Sequence, residues 1–109
     1  MFLGKGEKLH VIHRPLFDGD VRRHFIGTVD SYEGQLVRAM GYLFRADSHS
    51  NEFRKQGGHR TRIISLASDT LIINILPMRI DIEQVTYKHE GDHTTITDGS
   101  DWHLEISHV

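Results

Sequence analysis

At 109 residues, 38% hydrophobic and 26% charged, the chain has the size and composition of one soluble domain, and its lack of cysteine excludes disulfides, thiolate zinc sites and a cysteine nucleophile. The net charge of −2 conceals a division: residues 1–79 hold twelve Lys/Arg against eight Asp/Glu, whereas residues 80–109 hold Lys88 alone against seven acids. Such polarity fits an anionic partner on one face, self-association of unlike surfaces, or neutralisation within one fold.

Residues 1–5 lack the apolar run of a signal peptide, and no stretch has the length of a membrane span. The expectation is a soluble cytoplasmic protein with no membrane partner, which the absence of cysteine also fits.

Along the chain, residues 8–13 predict an edge strand ended by Pro15. Residues 22–32 and 35–46 then predict a hairpin closed by Glu33-Gly34, with Tyr32 opposite Gln35 and Phe25 opposite Tyr42. In that register Phe25, Val29, Leu36, Met40, Tyr42 and Phe44 share a face, and Gly27 and Gly41 lie opposite Met40 and Ile26. Glycines so placed allow the strong bending that barrels need.

A second hairpin is predicted from residues 60–66 and 70–76 through Ala67-Ser68-Asp69, pairing Leu66 with Leu71 and Ile64 with Ile73, with Ile75 on the same inner face. Its other face carries Ile63, Ile72 and Leu76, so residues 71–76 read as a buried central strand or a subunit contact. After a bend or helical turn at 77–81, residues 82–90 return as 93–98 across Gly91-Asp92. Val85, Tyr87, His89 and Ile96 would face inward there, and a last strand over 102–107 would bury Trp102, Leu104 and Ile106. Seven or eight short strands built from hairpins predict an all-β fold, a small antiparallel β-barrel or a compact β-sandwich, forming one domain over residues 1–109.

The least strand-like interior segment, 45–62, is read as a loop rich in cations, with Gly57-Gly58 making it supple. Arg54, Lys55, His59, Arg60 and Arg62 could grip phosphates through paired hydrogen bonds, with Phe53 as a stacking surface. The alternative is a solvated hairpin tip. Nine histidines invite a metal reading, for which His103 and Glu105 share a strand face and His24 could join from a distance. The alternative there is the exposed face of an edge strand. No G-x-S-x-G elbow, phosphate-binding glycine loop or H-E-x-x-H pair occurs, and nothing names a cofactor.

The run Ile26-Gly27-Thr28-Val29-Asp30, followed by Leu36-Val37, resembles the first motif of Sm-like RNA-binding barrels. The resemblance implies a small barrel and an RNA partner. Glu33-Gly34-Gln35 stands where that motif offers an asparagine, and no second motif follows at residues 71–80.

The leading expectation is a non-enzymatic binding domain that self-associates through Ile63, Ile72 and Leu76 and offers its basic segment to an anionic partner. A small-molecule-binding barrel or metal-assisted enzyme using Tyr42, Tyr87 and histidines is the alternative.

Overall fold

The computed structural model describes residues 4–14, 22–47, 50, 52–91 and 93–106. Among the described residues, eight antiparallel strands form two sheets, joined by a single 3₁₀ turn over Ile82–Gln84. The first sheet comprises β1 (Lys8–His13), β2 (Arg23–Glu33), β3 (Leu36–Ala46), β4 (Phe53–Ser65) and β5 (Leu71–Leu76), in the order β4-β3-β2-β1-β5. The second comprises β6 (Thr86–Glu90), β7 (His93–Thr97) and β8 (His103–Glu105). The all-β expectation holds, and no described helix is long and apolar enough to cross a membrane.

β1 lies inside its sheet, between β2 and β5, which corrects the expected edge position. Its Leu9 and Val11 are wholly buried on one face and His10 on the other, so both faces need cover.

The β2–β3 hairpin forms, but its turn is Gly34-Gln35 and pairs Glu33 with Leu36. A bulge at Asp30 then shifts the register, so Phe25 meets Leu43 and Val29 meets Ala39. Relative to the expected pairing this is an odd shift beyond the bulge, and an odd shift moves every β3 side chain to the other face. Val37 and Ala39 are therefore buried with Phe25 and Val29, while Leu36 and Met40 are exposed. Gly27 pairs with Gly41, and a Cβ on Gly41 would collide with the Ile26 carbonyl oxygen and the Gly27 Cα. The two strands come together here only because neither residue has a side chain.

β4 and β5 do not pair. The short link over residues 66–70 suggested a hairpin, yet it joins the two outer strands of the sheet. The sheet curls without closing: Ile64 of β4 and Leu71 and Ile73 of β5 pack in one cluster with Leu9, Val11, Phe25 and Val37. The opposite face of the sheet contributes Ile26, Phe44, Phe53 and Leu76 to the core between the two sheets. Ile80, Val85, Ile96 and Ile106 fill it from the other side, with Tyr87, Trp102 and Leu104 packed around them. Full burial of each large apolar side chain contributes roughly 1.5–3 kcal/mol, which makes these two clusters the main source of stability.

The β6–β7 hairpin has the expected register, Glu90 opposite His93, and Leu104 and Ile106 turn inward as the alternation requires. The helical turn lies at Ile82–Gln84, where the Asp81 carboxylate accepts from the Glu83 amide at 3.0 Å. The bend before it is held to β1 by Lys8, whose ammonium donates to the carbonyls of Met78 and Ile80.

Candidate anion-binding site

The segment read as a loop is mostly strand: β3 continues to Ala46, and β4 begins at Phe53. What interrupts β4 is a bulge, with Gly41 opposite Arg60 but Leu43 opposite Gln56. Gly57 takes φ 66° within it, a left-handed conformation suited to glycine. The bulge sets the aim of the side chains beyond it. Arg60 and Arg62 consequently project on the same side of the sheet as Val37, Ala39 and Ile64.

At that end of the curled sheet, Arg60 and Arg62 line a cavity of ≈ 380 Å³ together with Arg23, Arg45, His13 and Gln56. Its apolar lining is Phe25, Leu43, Ile63 and Ile64. Arg23 and Arg45 are direct cross-strand partners. Like charges placed opposite each other on adjacent strands are destabilising. The ion pairs among the described residues are Arg54–Glu52, Arg79–Asp101 and His93–Glu105, so none of the four cavity guanidiniums is neutralised there. Desolvation, then the positive charge of Arg23 and Arg62, hold His13 below the ordinary imidazole pKa.

The other residues singled out by sequence lie elsewhere. Phe53 is buried in the core between the sheets, stacked on Tyr87 with ring centroids 4.8 Å apart, and offers no exposed stacking surface. Arg54 pairs with Glu52 at 3.8 Å. Lys55 sits 4.0 Å over the Tyr42 ring and donates to the Glu83 carbonyl at 3.3 Å. His59 meets the same tyrosine edge-on. Thus Arg60 and Arg62 stand in the cavity, while Arg54, Lys55, His59 and Phe53 do not line it. Arg45 opens the cation-rich segment 45–62 but was not among its proposed phosphate contacts, and Arg23 and His13 lie outside that segment; only the pairing of β1, β2 and β3 gathers the three.

The metal candidates do not converge. His24 is 1% exposed and faces the inter-sheet core, His103 is exposed, and Glu105 bonds His93 at 2.9 Å. Among the described residues no group of three His, Asp or Glu side chains could hold a metal ion.

Instead, two histidines form a buried polar chain that sequence spacing did not suggest. The Asn74 amide lies 3.2 Å from His10 Nδ1, His10 Nε2 lies 3.0 Å from His24 Nδ1, and the Tyr87 hydroxyl lies 2.8 Å from that same nitrogen. With the amide donating, His10 carries its proton on Nε2 and donates it to His24. His24 Nδ1 then accepts from both neighbours, and its own proton sits on Nε2, which has no partner among the described residues. Burial lowers the His10 pKa to about 4; burial, then His10 and Arg22, lower that of His24 to about 3. Both rings are neutral at pH 7.

Of the proposed interface residues, Ile63 is 60% exposed, Ile72 is half-buried, and Leu76 is 4% exposed because it fills this chain's own core. In the Sm-like run, Gly27 forms the close approach to Gly41 and Asp30 occupies the bulge; neither lines the basic cavity. Comparisons with protein-family models, curated proteins and solved structures find no match to this chain.

Proposed function

We propose that this protein is a non-enzymatic binding domain, residues 1–109 acting as one cytoplasmic unit, whose ligand is anionic and docks in the arginine-lined cavity. The observation that carries this reading is the set of four guanidiniums on one cavity, two of them directly opposed, with no carboxylate among the described residues of its lining. Gathering like charge destabilises a fold, and a bound anion reverses that cost by accepting paired hydrogen bonds from the arginine forks. Arg60 and Arg62 form the β4 side, and Arg23 and Arg45 form the β2–β3 side. The curled five-stranded sheet serves as a half-open barrel whose mouth is the binding site.

The test is calorimetric titration with inorganic pyrophosphate at two salt concentrations. Binding should weaken as salt rises, because each charged contact is screened. Arg60→Ala/Arg62→Ala should lose it, whereas Arg54→Ala/Lys55→Ala should retain it. Equal loss in both double variants would contradict the assignment of the cavity.

Self-association through the free edge of β4 is a second reading, favoured by Ile63 on that edge with Leu36 and Met40 exposed on β3 beside it.

A further inference from the structure

The four arginines explain charge, but they do not explain why the same cavity has an apolar lining. Phe25 is 2% exposed and Ile64 6% exposed, and both lie on the cavity wall with Leu43 and Ile63. A site for a bare ion needs donors on every side, since an apolar wall leaves that side of the ion desolvated and unpaired. A volume of ≈ 380 Å³ also exceeds what one phosphate fills and lies within the range of sites for small organic ligands. Gln56, which can both donate and accept, adds a group suited to a neutral polar function on the ligand.

A polyanion meets a different difficulty. Residues 80–109 carry seven acids against Lys88, and they supply the whole second sheet. That sheet packs on the face of the first sheet opposite the cavity, so the positive field is confined to the cavity side; a compact ligand stays within it, whereas a polymer wrapping around the domain would leave it.

We infer that the cavity takes a compact organic phosphate, with its phosphoryl group among Arg23, Arg45, Arg60 and Arg62 and an apolar ring or chain against Phe25, Leu43 and Ile64. This rests on the anion-binding reading above. The phosphoryl oxygens accept from the guanidinium forks, and the apolar body displaces water from the wall. Two negative charges answer a site with four cations better than the single charge of a carboxylate.

Titrating the protein with phenyl phosphate, inorganic phosphate, benzoate and a ten-nucleotide RNA separates the possibilities. Phenyl phosphate should bind about tenfold or more tighter than inorganic phosphate, the scale expected of a small apolar group entering a pocket. It should also exceed benzoate, and Arg60→Ala/Arg62→Ala should abolish its binding. Leu43→Asn should reduce phenyl phosphate to the affinity of inorganic phosphate while leaving the latter unchanged. Ile63→Ser, at an exposed position, should narrow the same gap and serves if the Leu43 variant does not fold. Equal affinity for phenyl phosphate and inorganic phosphate would overturn the organic ligand while leaving an anion site in place. Benzoate matching phenyl phosphate would overturn the phosphoryl assignment. RNA binding that phenyl phosphate fails to displace would overturn the compact ligand in favour of a polymer. If none of the four probes binds, the anion-binding reading itself falls.

Discussion

The Tyr87 hydroxyl lies 2.8 Å from Nδ1 of His24, so one hydrogen bond joins the second sheet to the centre of the first. The chain as arranged holds a neutral imidazole, because a protonated His24 would turn its Nδ1 from acceptor into donor and point that proton at the Nε2 proton of His10. Folding therefore holds two histidines in the form that acid removes.

Stability should fall on acidification, and the sign follows from the direction of the shifts. His10 and His24 are lowered to about 4 and about 3 in the fold. Unfolded histidines titrate near 6.5, so below that pH the unfolded chain binds more protons and is favoured. The contribution is fully present above about pH 6.5 and declines toward pH 4 and 3, on the order of 1 kcal/mol per pH unit for each ring. Urea unfolding at pH 7.5, 6 and 5 measures it. A midpoint that does not move, or histidine ring resonances of His10 and His24 that protonate above pH 6, would contradict the buried chain.

Tyr87→Phe should cost about 1 kcal/mol, the usual net value of a lost hydrogen bond, because His10 still donates to His24. The ring itself keeps its packing against Phe44 and Phe53. A loss of several kcal/mol in chemical denaturation would mean that the hydroxyl organises more than this one nitrogen.

Gly41→Ala should be severely destabilising, about 3 kcal/mol or more, because the new Cβ would meet backbone atoms of Ile26 and Gly27 that cannot step aside. Gly58→Ala should be nearly neutral, since a Cβ there has open space around it. Thermal melts of the two variants compare them directly. Similar melting temperatures would show that the strands do not approach as closely as the Gly27–Gly41 pair requires.

These sites also mark where the sequence could and could not be read. Alternation placed Val85, Ile96, Leu104 and Ile106 inward, and a glycine-first turn gave the β6–β7 register, because both signals are local. The β2–β3 register failed first at the turn, which is Gly34-Gln35, and again at Asp30, since a bulge inserts one residue without any hydrophobic signal and reverses the facing of the paired side chains beyond it. The pairing of β5 with β1 was invisible because it links residues more than fifty positions apart, while the short 66–70 link imitated a hairpin. The site was half legible for the same reason. Arg45, Arg60 and Arg62 stood in one basic run, but Arg23 lies outside it, and only strand pairing brings these four together.

Replacing one of the opposed arginines should stabilise the empty protein. Arg23→Gln removes the like-charge pair with Arg45 and should gain a few tenths of a kcal/mol, up to about 1, while weakening anion binding. Melting curves with and without pyrophosphate measure both effects. A variant less stable than the parent would show that Arg23 holds the fold together instead of awaiting a ligand.

Ile63→Lys should leave the fold intact and shift any oligomer toward monomer, because the residue is exposed on an outer strand whose edge is unpaired among the described residues. Light scattering of both proteins decides it. A parent that is monomeric at high concentration would contradict association through β4.

The convergence of four guanidiniums on one ligand is tested most directly by following arginine Nε–Hε resonances during titration with phenyl phosphate. Arg23, Arg45, Arg60 and Arg62 should shift together with a single dissociation constant, while Arg38, Arg54 and Arg79 stay still. Shifts spread evenly over all arginines, or centred on Arg54, would contradict a binding site in the cavity of the curled sheet.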